Sequence, residues 1–352
     1  MAMISSLAKN RTVEPGGANE PVLAVENLAV SFETRYGPAE VVSDVSFSLH
    51  PGETVALVGE SGSGKSVTAL AVMRLLEDTG SIARGSVRLD GKELTGLTEQ
   101  EYRKVRGKEI AMIFQDPTTC LDPVYTVGHQ LIEAIRIHNK ISKKEARQRA
   151  IELLDLVGIP NPTRRIKQYQ HEMSGGQRQR VMIAMALTCS PRMLIADEPT
   201  TALDVTVQAQ ILALLQELQQ ETGTAQLLIT HDLAVVAEMA DRVVVMYAGQ
   251  VVEQGVAHEV LHSPQHPYTE ALLRSMPSVA TDKGDRLYAI EGVVPTARNM
   301  PSGCRFAARC EYATALCFNE APVLNEWQPA HETRCWLRDP SKSEEMSQGA
   351  LV

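Results

Sequence analysis

Apolar positions along the chain fall into two kinds of run, and they predict two kinds of element. "LAVENLAVSFET" from Leu23 and "VVSDVSFSLH" from Val41 alternate apolar with polar residues. That alternation predicts two strands of an antiparallel hairpin, each with one covered face. "TVALVG" from Thr54, "MLIAD" from Met193 and "AQLLIT" from Ala225 are short runs, largely apolar. They predict strands buried on both faces. A helical pattern follows each of them, the first running from about Lys65 to Leu76. From about Thr126 to Tyr169 the pattern is mostly helical, with heptad-like spacing in "EARQRAIELLDLVGI". Strands alternating with helices predict an α/β fold, a parallel sheet covered on both faces.

The pattern also divides the chain. Residues 1–21 are polar and Gly-rich and predict disorder. Residues 22–260 carry the alternating elements. Near Val251 the elements turn short and extended, and beyond about His262 clear periodicity is lost among Pro, Cys and Trp. That predicts a separate extension over 261–340 and a flexible tail over 341–352.

Composition changes little in this picture. The 352 residues are 44% hydrophobic and 22% charged, as in a folded soluble protein. A net charge of −9 argues against a protein that wraps nucleic acid. The apolar stretch "VMIAMAL" is far short of the roughly 20 residues that span a bilayer, and reads as a buried helix segment. No export pattern opens the chain, so the expectation is a cytoplasmic protein that reaches membranes only through a partner.

The chemistry begins at "GESGSGKS", which fits G-x-x-x-x-G-K-S/T between a buried strand and a helix. Glycines let backbone N–H groups curl around phosphate oxygens, and the helix N-terminus adds its positive end. Gly59, Glu60, Ser61, Gly62, Ser63, Gly64, Lys65, Ser66 and Val67 are the candidate cradle. Lys65 is expected to reach the β- and γ-phosphates, and Ser66 to hold Mg²⁺. "MLIADEP" delivers Asp197 and Glu198 at the carboxyl end of a strand. Asp197 is expected to order the Mg²⁺ shell and Glu198 to polarise the attacking water.

"EMSGGQRQRVMIAMAL" decides among the phosphate-loop families. It resembles the signature sequence of ATP-binding-cassette (ABC) ATPases, with Met173 in place of the usual leucine. The resemblance implies a cassette: a RecA-like parallel core, an antiparallel β subdomain and a helical subdomain. It implies that Ser174, Gly175, Gly176 and Gln177 cap the γ-phosphate held by a partner cassette, in a head-to-tail pair. Gln115 in "IFQDP" resembles the Q-loop residue, which senses Mg²⁺ and the γ-phosphate. "TALD", ending at Asp204, resembles the D-loop, and His231 in "ITHDL" resembles the switch histidine. Phe32 takes the place of the adenine-stacking aromatic, with Tyr36 as its rival. ATP, Mg²⁺ and a second cassette subunit, a paralogue by family habit, are therefore implied.

"HSPQHPYTEALLRSMP", "LYAIEGVVP" and "GCRFAARC" resemble the segment that follows the cassette in oligopeptide and dipeptide importer ATPases. This implies two transmembrane permease subunits, an extracytoplasmic binding protein and a place on the cytoplasmic face of the inner membrane. Members of that family carry peptides, nickel or glutathione. A non-transport cassette protein is the alternative class.

Six cysteines remain. Cys120 and Cys189 are isolated and read as buried small hydrophobes. Cys304, Cys310, Cys317 and Cys335 form C-x5-C-x6-C-x17-C, which is neither a common zinc spacing nor a bacterial ferredoxin one. Spacing alone supports four thiolates that converge. Phe306, Phe318 and Trp336 are candidates to shield them, and Arg305 and Arg309 to offset their charge. The family resemblance implies a 4Fe–4S cluster; free thiols and zinc stay open.

Overall fold

The computed structural model describes residues 20–201, 203–275, 288–342 and 346. The N-terminal segment before residue 20 and most of the 341–352 tail, assigned above as disordered and flexible, lie outside the described residues. So does Ala202 of the "TALD" motif. The strands, in chain order, are β1 (Leu23–Thr34), β2 (Gly37–Leu49), β3 (Thr54–Val58), β4 (Gly80–Leu89), β5 (Lys92–Glu93), β6 (Ile110–Ile113), β7 (Met193–Asp197), β8 (Ala225–Ile229), β9 (Arg242–Tyr247), β10 (Gln250–Val256), β11 (Asn325–Gln328) and β12 (His331–Thr333). The chain divides into two compact units that interleave along the sequence.

The first unit is built chiefly from residues 48–54 and 87–228. β6 and β7 pair in parallel, from Ile110 opposite Met193 to Ile113 opposite Ala196. β7 and β8 are buried at every position, including the polar Asp197 and Gln226, so their largely apolar runs are covered on both faces. Its helices begin where the sequence supplies caps. Ser142 accepts from Glu145 N–H at 3.2 Å while the Glu145 carboxylate takes Ser142 N–H at 2.8 Å, a capping box that starts the Lys143–Leu156 helix. The Gly175–Ala186 helix buries Val181, Met182, Ile183 and Ala184, so "VMIAMAL" is core. The Val205–Thr222 helix starts on Asp204 and ends at Gly223, whose φ of 60° closes it.

The second unit holds residues 25–47, 55–86 and those from 229 onward. β2, β1 and β4 are neighbours in that order. β3 runs parallel to β9, while β9–β10, β10–β12 and β12–β11 pair antiparallel, so this sheet is mixed. Its core joins Val58, Val245, Tyr247 and Val252 to Tyr268 and Phe306 of the extension. Two expectations change here. The helix after the phosphate loop ends at Val72, not Leu76, because Arg74 turns left-handed with φ 50°. No glycine or proline marks that stop. The region after His262 is not all irregular: Pro267–Arg274 is a helix whose cap is His266, with Nδ1 accepting from Tyr268 N–H at 3.0 Å. Burial pushes His266 down to about 4, so the ring is neutral, as that acceptor role needs. Among the described residues no helix is long and apolar enough to cross a membrane.

Glu253 of β10 ties the extension into this unit. Its carboxylate is fully buried and accepts from Gln265 N–H at 2.6 Å, His266 N–H at 3.0 Å and His331 Nε2 at 2.7 Å. Removing one partner of a buried polar network leaves the others without a bond. Glu253→Ala is expected to lower the unfolding free energy by about 3–5 kcal/mol, read by urea denaturation. A loss below about 0.5 kcal/mol, the range of ordinary surface changes, would contradict it.

Candidate functional site

Each unit carries part of the predicted machinery. In the second unit the phosphate loop leaves β3 through Gly59, whose φ is 148° and whose notional Cβ would overlap the Met246 carbonyl oxygen. Only glycine fits there. Gly64, at φ 100°, turns the chain into the Lys65–Val72 helix, aiming its first N–H groups at the loop's concavity. Lys65 is buried, and its ammonium donates to the carbonyls of Gly59 at 2.7 Å and Glu60 at 3.0 Å. Ser63 Oγ lies 3.4 Å from the same Nζ. The lysine is thus folded into its own loop, curled around the space an anion would fill. His231 is exposed in the turn after β8, just before Asp232 caps the next helix. Phe32 is half-buried against Gly80, while Tyr36 is 60% exposed with the Arg298 guanidinium 3.9 Å from its ring centre.

In the first unit β7 delivers Asp197, buried, and Glu198 beyond it. Glu198 holds φ at 47°, a left-handed backbone that a non-glycine residue adopts at some cost. Its Oε2 accepts from Gln115 Nε2 at 2.7 Å and from Thr201 Oγ1 at 2.8 Å. Gln115 and Glu198, 83 residues apart in sequence, are therefore brought into contact. Thr201 opens the "TALD" motif just after "MLIADEP", and no spacing signal in the sequence assigns it as a partner of Glu198. The signature begins as predicted. Ser174 caps the Gly175–Ala186 helix, accepting from Gln177 N–H at 3.3 Å, and Gln177 reaches back to Ser174 N–H at 3.2 Å. Met173 is buried, so an apolar side chain fills this position, methionine here in place of the usual leucine. Asp204 accepts from Val207 N–H at 3.0 Å as a helix cap.

The extension gathers Cys304, Cys310, Cys317 and Cys335 around one apolar cavity, with Phe306 and Trp336 also in its wall. Cys120 and Cys189 lie elsewhere and are half-buried rather than buried. Burial pushes the Cys310 and Cys335 thiols up to about 12, so both are neutral thiols at pH 7. The donor set fits a four-thiolate centre. The space does not yet fit one: the cavity has about 10 Å³, room for roughly one water-sized sphere. Among the described residues, no three His, Cys, Asp or Glu side chains stand at metal-holding geometry. Three predicted helpers are also misplaced. Phe318 is 53% exposed and shields nothing. Arg305 and Arg309 bond elsewhere: Arg305 donates to the Ala248 carbonyl, and Arg309 pairs with Glu60 at 2.7 and 3.0 Å.

A glycine-turned phosphate loop with its buried lysine, an acidic strand end and a serine-capped signature helix define the class: a nucleotide-binding cassette on an α/β fold. The comparisons agree. Residues 42–201 match the ABC transporter family and residues 252–317 the oligopeptide/dipeptide transporter C-terminal region. The chain is 53% identical to a putative peptide import ATP-binding protein of Brucella abortus, over 90% of this chain and 97% of that protein. It is 52% identical to the dipeptide transport ATP-binding protein DppD of Escherichia coli, over 89% of this chain and 96% of that one. It is 51% identical to the oligopeptide transport ATP-binding protein OppD of Bacillus subtilis, over 91% and 89%. A solved dimeric ATP-binding cassette with ADP and phosphate covers 67% of this chain and 98% of its own at 28% identity, with a TM-score of 0.61. The chain belongs to the ABC transporter ATP-binding proteins that carry the oligopeptide/dipeptide C-terminal region.

Proposed function

We propose that this chain is the ATP-hydrolysing subunit of an importer of dipeptides or oligopeptides, seated peripherally on the cytoplasmic face of the inner membrane. The observation that carries the reading is the joining of two matches in one chain: an ABC cassette followed by the oligopeptide/dipeptide C-terminal region. With it go a cassette over 22–260 and an extension over 261–340, the second match opening slightly earlier, at residue 252.

Within the cassette, Lys65 and the loop amides bind the β- and γ-phosphates, and Ser66, Gln115 and Asp197 hold Mg²⁺. Glu198 and His231 orient the attacking water. Phe32 stacks on adenine. The Ser174–Gln177 helix end and Asp204 serve the nucleotide of a partner cassette, a paralogue, so ATP draws two cassettes together and hydrolysis parts them. Two permeases and an extracytoplasmic binding protein complete the transporter. The test is co-purification from membranes: permease subunits are expected with the chain. Stable association with ribosomes or DNA and no membrane subunit would overturn the reading.

We further propose that Cys304, Cys310, Cys317 and Cys335 hold a 4Fe–4S cluster. Their sharing of one cavity, with the other two cysteines excluded, supports it. A bound cluster would supply a redox-active or purely structural centre, with the four cysteines as thiolates in a cavity wider than the present one of about 10 Å³. Protein purified without oxygen is expected to carry iron and acid-labile sulfide in equal, near-stoichiometric amounts, lost in the quadruple Cys→Ser variant. Zinc without iron, or no metal, would reject the cluster.

A further inference from the structure

Arg305, Arg309 and Tyr268 all belong to the C-terminal extension, and all three act on the phosphate loop. Tyr268 is fully buried, and its hydroxyl accepts from Glu60 N–H at 2.8 Å. The carbonyl of the same peptide unit, that of Gly59, accepts from Lys65 Nζ at 2.7 Å. A trans peptide points its N–H and C=O in opposite directions. Fixing the N–H on Tyr268 therefore fixes the carbonyl that receives the lysine. The same device recurs one loop away. Arg305 donates to the Ala248 carbonyl, and the other side of that peptide, Gly249 N–H, donates to the Ser63 carbonyl at 2.9 Å. Arg309, 4% exposed, then grips the Glu60 side chain with both terminal nitrogens. Its remaining donors go to Tyr247 Oη, the Ile290 carbonyl and, through Nε, the Glu291 carbonyl, so its plane is set from several sides.

We propose that Tyr268, Arg305 and Arg309 are positioning residues of the ATP site, and that the extension holds the phosphate loop in its anion-ready form. The nucleotide-binding part of the proposed function underlies this assignment. None of the three touches the nucleotide; each acts through a peptide or side chain of the loop or its neighbour. Without the Tyr268 hydroxyl, Glu60 N–H lacks its acceptor and the Gly59–Glu60 peptide is free to rotate. The Gly59 carbonyl then leaves Lys65, and the loop must be reordered when phosphate binds. That cost falls on binding of any nucleotide with a β-phosphate. MgATP and MgADP should therefore weaken together.

The test titrates the full chain with MgATP and MgADP by calorimetry and follows each variant's melting temperature. Tyr268→Phe removes one oxygen and keeps the ring's packing. It is expected to weaken both nucleotides by about two- to tenfold, the effect of one hydrogen bond, with the melting temperature lowered by no more than about 2–4 °C. Arg309→Gln is expected to weaken both by about tenfold or more, with Arg309→Lys restoring part of the loss. Adding Glu60→Gln to Arg309→Gln should cost no more than Arg309→Gln alone. Wild-type affinity in Tyr268→Phe would overturn the proposal. So would variants that melt earlier while their folded fraction binds at full strength, since that is a purely structural role. Failure of the wild-type chain itself to bind MgATP would instead defeat the nucleotide-site reading.

Discussion

Glu198→Gln is expected to slow ATP hydrolysis by about a thousandfold while leaving MgATP binding intact. The carboxylate is placed, not merely present. Gln115 and Thr201 both bond Oε2, at 2.7 and 2.8 Å, and the backbone is held left-handed at φ 47° to present it. An amide keeps the shape, and its oxygen can take the place of Oε2. It loses the charge and basicity that turn a water toward a phosphoryl group. Binding survives because the cradle of Lys65 and the loop amides is built on other residues. Single-turnover phosphate release in the assembled transporter reads the effect. A rate within about tenfold of wild type would remove Glu198 from the water-activating role, for which factors of 10²–10⁴ are usual.

Lys65→Ala is expected to weaken MgATP by about a hundredfold, as the loss of two charge-assisted hydrogen bonds implies. The ammonium is buried and already held by the Gly59 and Glu60 carbonyls. Its removal strips the cradle of its central charge and leaves the Gly59 and Glu60 carbonyls without their donor. The defect is in the ground state, so nucleotide titration detects it where Glu198→Gln shows nothing. Equal MgATP affinity in Lys65→Ala and wild type would contradict the assignment. Together the two variants separate holding the nucleotide from hydrolysing it.

The parts of this site that were legible in the sequence are those built from neighbours in the chain. The strand–loop–helix around Lys65 is local: an apolar run that must be buried, glycines that must turn, and a helix that must start. The Ser174 cap is local as well, since serine followed three residues later by glutamine satisfies two helix-end amides. What could not be read is set by packing between distant segments. Arg309 meets Glu60 across 249 residues and Tyr268 meets Glu60 across 208, and no spacing rule reaches that far. For that reason the two arginines of "GCRFAARC" read as partners for the cysteines beside them, whereas the fold turns both toward the phosphate loop. The stop of the first helix at Val72 was hidden for another reason. Arg74 adopts a left-handed turn that sequence rules reserve for glycine or asparagine. Phe318 shows the limit of composition: an aromatic beside Cys317 need not face the same way, and it lies at the surface.

The most direct measurement is uptake of a labelled dipeptide into vesicles holding this chain, its partner cassette, two permeases and the binding protein outside. Uptake is expected to require MgATP inside the side that bears the cassettes, to be accompanied by peptide-stimulated phosphate release, and to stop with Glu198→Gln. Uptake that continues in that variant, or phosphate release that ignores peptide and binding protein alike, would contradict an ATPase that drives peptide import.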